Sequence, residues 1–153
     1  MKKMGYKLNS KEINVAIKKT VWPGRLEIIN YKNKKIILDG SHNIDGADKL
    51  NEFLKNKRIK ATVLFGMLNN KKASLFLNKI KKRISKVLAI KIPDEKNAFK
   101  TKQINEICEF HSIKCEQVTY IYVALKYFRS NQEKTYLITG SLYLIGKIRR
   151  RLL

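Results

Sequence analysis

Short apolar runs alternate with amphipathic segments along most of this 153-residue chain, and this alternation restricts its fold more than any other feature. The run Ile36-Ile37-Leu38 ends at Asp39-Gly40, and the later run 61–65 ends at Gly66. Apolar runs of this length, bounded by turn residues, are typical of buried strands, whereas apolar residues spaced three and four apart indicate helices. Strands that alternate with helices of about ten residues form βαβ units and so place parallel strands in one sheet.

We therefore predict an α/β, Rossmann-like fold with a mostly parallel sheet of about six strands and helices on both faces. The predicted strands cover residues 26–31, 35–39, 61–66, 87–92, 113–118 and 135–139. The predicted helices cover residues 44–56, 73–84, 101–110, 120–129 and 142–152. A further short helix is predicted before them at residues 9–18, where Asn9 is the expected N-cap and Glu12 completes a capping-box pattern.

Composition excludes several classes of protein. No apolar run approaches the roughly 20 residues that a membrane-spanning helix needs, and the N-terminus has no apolar core of a signal peptide. We expect a cytoplasmic protein in which Cys108 and Cys115 are reduced thiols. With His111 they form an incomplete ligand set, so no metal site is predicted.

The charge balance is extreme, with 34 Lys and Arg against 12 Asp and Glu, a formal net charge of +22. Clustered cations favour nucleic acids, and a basic nucleic-acid-binding module is the alternative function that we consider. The cations are nevertheless spread over almost every segment, and arginine is dense only at 149–151. A lysine-biased composition explains that pattern, so we expect nucleic acid not to be a partner. Tyr120 and Tyr122 are predicted to cover the sheet rather than to stack on bases.

Polar residues follow the predicted ends of two strands. Asp39 ends the strand 35–39, Gly40 and His42 follow it, and Ser141 comes after the strand 135–139. Because carboxyl ends of parallel strands meet at one edge of a sheet, these side chains are predicted to converge there. Each also has a structural interpretation, since Asp39 and Ser141 are common helix N-caps. Arg25, after the Pro23-Gly24 turn, is either a phosphate-binding residue or a solvated cation.

Three motifs carry a family resemblance: WPGRLE at 22–27, LDGSHN at 38–43 and TGSLYLIG at 139–146. In this order they resemble the C-terminal domain of folylpolyglutamate synthase, or dihydrofolate synthase, a branch of the Mur ligase superfamily. The resemblance runs from about Ile13 to the C-terminus. The chain departs from the family pattern at Ser41, where Ala is usual, and at Ile44, where Pro is usual.

The resemblance implies an ATP-dependent ligase that joins glutamate to a folate or dihydropteroate. It implies that Arg25 and Asp39 contact ATP and that His42 is catalytic. It also implies that His42, Asn43 and Ser141 bind substrate, with His42 and Ser141 on the side of the incoming glutamate. Residues 1–21 would end a central domain and linker, and residues 22–153 would form the C-terminal domain.

The N-terminal ATPase domain of such ligases, which supplies the phosphate and Mg²⁺ ligands, has no counterpart in this sequence. We therefore expect the chain to be inactive alone and to need that domain, which a separate polypeptide could supply. Arg25 and Asp39 are expected to be exposed on the side where that domain would dock.

Overall fold

The computed structural model describes Asn9 and residues 22–153, and within them the predicted α/β fold is confirmed. The strands are β1 (Glu27–Tyr31), β2 (Lys34–Asp39), β3 (Ala61–Phe65), β4 (Ile84–Ile90), β5 (Cys115–Val118) and β6 (Thr135–Thr139). The helices are α1 (Ile44–Asn56), α2 (Ala73–Ile80), α3 (Thr101–Phe110), α4 (Ile121–Ser130) and α5 (Leu142–Leu152), with a 3₁₀ turn at Lys81–Arg83. The helix predicted at 9–18 and the division at residue 21 lie, apart from Asn9, outside the described residues.

The six strands form one sheet in the order β1-β2-β6-β3-β4-β5. Only β1 is antiparallel to its neighbour, and the other four pairings are parallel. Side chains alternate between the faces along each strand, so two cores form. Helices α1, α2 and α3 cover one face around Ile37, Val63 and Leu137, and α4 and α5 cover the other face.

The largest difference from the predicted boundaries lies between α2 and β4, and the other bounds agree within two residues. The helix predicted at 73–84 ends at Ile80, and β4 begins at Ile84 instead of at residue 87. Ile80 and Ile84 are four residues apart and both buried, so their spacing also fits a continuous helix. The 3₁₀ turn between them instead turns the chain so that Ile84 pairs with Ala61 in the sheet.

The order of the strands places a crevice at the carboxyl ends of β2 and β6. The helix that follows β2 packs on one face of the sheet, whereas the helix that follows β6 packs on the other. When the helices that follow two adjacent parallel strands pack on opposite faces of the sheet, a gap forms at the ends of those strands. α/β proteins bind ligands in such gaps. Asp39 and Thr139, the last residues of β2 and β6, are partners in register across this gap.

Candidate functional site

Backbone hydrogen bonds tie together the loops that surround the crevice. The Gly40 amide donates to the Gly24 carbonyl at 2.7 Å, and the Gly140 amide donates to the Ser41 carbonyl at 3.2 Å. These bonds link the turn before β1 with the loops after β2 and β6. The crevice is therefore built by three segments that are far apart in the sequence.

Asp39 is buried and 3% exposed, so the expectation that it is solvent-exposed is wrong. One carboxylate oxygen accepts a hydrogen bond from the Leu26 amide and the other from the Ser41 amide, each at 3.1 Å. Leu26 has a φ of 49°, a left-handed conformation that costs a non-glycine residue about 1–2 kcal/mol. Asp39 thus holds the chain next to Arg25 in an unusual conformation.

The interpretation of Asp39 as a helix N-cap is also wrong, because Asn43 has that position. The Asn43 side-chain oxygen accepts a hydrogen bond from the Gly46 amide at 2.9 Å and so caps α1. Asn43 itself is exposed at the rim of the loop. The predicted contact between Asn43 and the substrate stays a prediction.

His42 is half-buried in the loop after β2, and its ring has a defined orientation. Its Nδ1 atom lies 3.0 Å from the Gly40 carbonyl oxygen. A carbonyl can only accept, so Nδ1 carries the proton in this contact. In the neutral ring, Nε2 is then left with a free lone pair that can accept a proton.

Ser141 is buried and caps α5, as its structural interpretation predicts. Its Oγ accepts a hydrogen bond from the Tyr143 amide at 3.1 Å. The hydroxyl proton is still available to a ligand, and the N-terminus of an eleven-residue helix attracts negative charge.

His42 and Ser141 face the same cavity of about 320 Å³, as their positions in the sequence predict. The loop after β3 completes its wall with Leu68, Asn70 and Lys71. Asp39 does not line this cavity, although it stands next to Thr139 in the sheet. A histidine with a free nitrogen, a hydroxyl, a helix N-terminus and a lysine suit a ligand that has both an amine and a carboxylate.

Arg25 is exposed, as expected, on a turn that is held by an ion pair. Both carboxylate oxygens of Glu27 lie 3.0 Å from Arg149 Nε, and Glu27 Oε2 also accepts from the Gly24 amide at 2.8 Å. The hydrogen bond from Arg149 lowers the pKa of Glu27 below its usual value, against a smaller opposing effect of burial. The Arg25 backbone is consequently fixed on two sides, by Glu27 and by Asp39.

The sequence analysis did not identify Glu27, Arg149 or the loop after β3, which forms part of the cavity wall, as parts of the site. Glu27 and Arg149 are 122 positions apart, and no local pattern connects them. The available signal was that Glu27 is the one acid in the first strand and that Arg149 lies on the last helix.

No group of three His, Cys, Asp or Glu side chains that could hold a metal occurs in the part of the chain that the structure describes. Within the same residues, no helix is long and apolar enough to cross a membrane.

Comparisons with known proteins agree with this architecture. Residues 25–151 match the family "Dihydrofolate synthetase, C-terminal domain". The Bacillus subtilis (strain 168) dihydrofolate synthase/folylpolyglutamate synthase is 28% identical over 147 residues, which are 95% of this chain and 34% of that protein.

Two solved structures extend the comparison. The crystal structure of folylpolyglutamate synthase from Thermotoga maritima has a TM-score of 0.78 and 27% identity, over 97% of this chain and 34% of that one. A bifunctional folylpolyglutamate synthase/dihydrofolate synthase with Mn, AMPPNP and L-glutamate bound has a TM-score of 0.80 and 19% identity, over 96% and 36%. The chain thus spans about a third of the length of these relatives. Because the family match covers most of the sequence, from the Arg25 turn to the end of α5, this chain belongs to the dihydrofolate synthetase C-terminal domain family.

Proposed function

We propose that this chain is the C-terminal domain of an ATP-dependent ligase that joins glutamate to a folate or dihydropteroate. The observation that carries the proposal is the cavity shared by His42 and Ser141 at the crevice between β2 and β6. The relatives named above are such ligases, and one of them was solved with an ATP analogue, Mn and L-glutamate. We infer that this chain contacts the nucleotide and the glutamate.

His42 acts on the amine of the incoming glutamate. In the reaction implied by the family, this nitrogen attacks the carbonyl carbon of an acyl phosphate, the new C–N bond forms, and phosphate leaves with its oxygen. The ammonium group of glutamate must lose one proton before its nitrogen can attack, and the nitrogen loses a second proton as the amide forms. Nε2 of His42 takes a proton from nitrogen, because Nδ1–H is directed to the Gly40 carbonyl.

Ser141 and the N-terminus of α5 hold a carboxylate of the same glutamate. The Ser141 hydroxyl donates to that carboxylate while its lone pair keeps the bond from the Tyr143 amide. Lys71, which also lines the cavity, adds a positive charge. Asn43, at the rim, contacts the substrate from outside the cavity.

Arg25 binds phosphate oxygens of ATP, for which its forked donors are suited. Asp39 is only 3% exposed, so little of its surface is accessible to ATP. Both of its carboxylate oxygens already accept hydrogen bonds from backbone amides. Its contribution on the ATP side is therefore to fix the Arg25 turn through Leu26. A direct contact between Asp39 and ATP, as the resemblance implies, would use its remaining lone pairs.

The phosphate cradle and the Mg²⁺ ligands come from an N-terminal ATPase domain, on the same or on a separate polypeptide. The described residues do not fit a metal, since they hold no cluster of His, Cys, Asp or Glu side chains that could bind one. Exposed apolar side chains lie beside the crevice, namely Trp22 (66% exposed), Leu142 (44%) and Tyr143 (58%). They suit a surface that another domain covers.

The test compares the two histidines of the chain in a reconstituted ligase. The N-terminal part of a relative is combined with this chain, and incorporation of labelled glutamate into dihydropteroate or folate is measured under saturating ATP. His42→Ala is expected to lower the rate of amide formation about 100-fold, the size of a lost general base. His111→Ala is the matched control, because His111 hydrogen-bonds Ser74 on α2 and does not line the cavity.

Ser141→Ala is expected to raise the KM for glutamate with a smaller effect on kcat. An unchanged rate in His42→Ala, or an equal loss in both histidine variants, would contradict the role of His42. Robust ligation by this chain without an ATPase domain would contradict the proposed division of labour.

A further inference from the structure

Two tyrosines that were expected to cover the sheet are instead exposed and stacked on each other. Tyr120 is 56% exposed and Tyr122 is 64% exposed, and their rings are 5.4 Å apart with an interplanar angle of 12°. The neighbouring Phe128 covers the sheet and is fully buried. Packing against the core does not explain why two large aromatic rings are exposed together, and exposed apolar patches often mark binding sites.

The tyrosine pair lies in a cationic groove. A cavity of about 540 Å³ runs from Pro93 past both rings to Lys147, Arg150 and Arg151 on α5. A second cavity shares Pro93 and Tyr120 with it and extends the groove to Lys91 and Lys96.

The balance of charge in this groove is positive. Its acids are Asp94 and Glu95, and Asp94 forms an ion pair of 2.5 Å with Lys147. The arginines at 150 and 151 and the lysines at 91 and 96 have no acidic side chain in ion-pair contact within the described residues. The groove thus presents four uncompensated cations beside one uncompensated acid.

We propose that this groove, lined by Tyr120, Tyr122, Arg150 and Arg151, binds single-stranded nucleic acid. Non-specific binding of single strands combines a cationic track for the phosphates with aromatic rings on which bases stack. Both elements occur here within one continuous groove. An acidic peptide would use the cations but gain nothing from parallel rings with exposed faces.

The groove is separate from the proposed ligase site. None of its lining residues lines the cavity that contains His42 and Ser141. The net charge of +22 adds a long-range attraction for polyanions, but diffuse charge would not distinguish this groove from other lysine-rich surfaces. The tyrosine pair is the feature that distinguishes this groove from those surfaces.

The test measures fluorescence anisotropy of labelled oligothymidylate and oligouridylate of about 12 nucleotides, within the site size of single-strand-binding folds. At about 0.15 M salt, where surface charges are well screened, the wild-type chain is expected to bind with a Kd of about 10 μM or tighter. Tyr120→Leu with Tyr122→Leu is expected to weaken binding at least about fivefold, because each stacked base contributes that much or more. Tyr120→Phe with Tyr122→Phe keeps the rings and is expected to keep the affinity.

A charge-matched pair separates the groove from general electrostatics. Arg150→Glu with Arg151→Glu should weaken binding far more than Lys81→Glu with Lys82→Glu, which makes the same charge change on the exposed 3₁₀ turn between α2 and β4. Circular dichroism verifies that each variant is folded. Stronger binding of oligouridylate than of oligothymidylate would identify RNA as the preferred strand, and the reverse would identify DNA.

Several results would overturn the proposal. Absence of binding by the wild type, equal affinity in the leucine and phenylalanine pairs, or equal losses in the two charge-reversal pairs would each do so. Tight binding of an oligoglutamate peptide that the leucine pair leaves unchanged would indicate an acidic-peptide surface instead.

Discussion

Gly140→Ala is expected to destabilise the chain strongly, because Gly140 connects β6 to the proposed site in a conformation that only glycine adopts easily. Its φ is +104°. A Cβ atom there would lie 2.6 Å from the Gly66 carbonyl oxygen and 2.9 Å from the Phe65 ring. The oxygen belongs to the backbone at the end of β3, so it cannot rotate away as a flexible side chain would.

The magnitude follows from two costs. Forcing an alanine into a sparsely populated backbone region costs about 1–3 kcal/mol. Crowding a packed interior with an extra methyl group costs about 1–3 kcal/mol more. Together they reach about 2–6 kcal/mol, a large part of the roughly 5–15 kcal/mol that stabilise a typical domain.

Gly146→Ala is the matched control, since it adds the same methyl group only six residues further on. Nothing lies within 4 Å of a Cβ at Gly146, which is inside α5. Alanine there is expected to stabilise the chain by about 0.5–1 kcal/mol, because glycine is a poor helix former.

Urea unfolding followed by far-ultraviolet circular dichroism gives both free energies of unfolding by linear extrapolation. A loss below about 1 kcal/mol in Gly140→Ala would refute the account of strain and crowding. So would changes of the same sign and size in the two variants.

Two further outcomes follow from shifted pKa values. The pairing with Arg149 lowers the pKa of Glu27 in the folded chain. It therefore stabilises the fold above the ordinary pKa of 4.5, and this stabilisation is lost as pH falls through the lower pKa of the folded chain. The difference in urea midpoint between wild type and Glu27→Gln should therefore be largest near neutral pH and shrink below about pH 4. A hydrogen bond from Cys108 lowers the pKa of Cys115, while that bond and burial raise the pKa of Cys108, so iodoacetamide should alkylate Cys115 first in the native chain. Peptide mass spectrometry after brief labelling checks this, and Cys108→Ala should slow the reaction at Cys115.

Most of the fold could be predicted from the sequence because its strands and helices have different hydrophobic periods. The bounds of α1, α3, β6 and α5 agree with prediction, since each is flanked by a turn or capping residue. The start of β4 was missed where Ile80 and Ile84 fit the helical and the extended pattern equally well.

The candidate site could be predicted only in part. The convergence of His42 and Ser141 follows from topology, because both come after parallel strands that turn out to be neighbours. The burial of Asp39 does not follow, because a carboxylate at a strand end looks the same in the sequence whether it faces solvent or accepts two amides. The ion pair of Glu27 with Arg149 depends on how the first strand and the last helix pack, and only the structure contains that information.

The position of β6 has a consequence for how the chain assembles. This strand lies between β2 and β3, yet residues 135–139 come after every other strand in the sequence. Until they insert, β2 and β3 are open edges of two separate partial sheets, and such edges pair readily with other chains. Closing the sheet requires contacts between residues about a hundred positions apart, which makes this step slow relative to local folding. The strand that completes the sheet also brings Ser141 to His42, so a chain that stalls before this insertion has neither a continuous sheet nor a site.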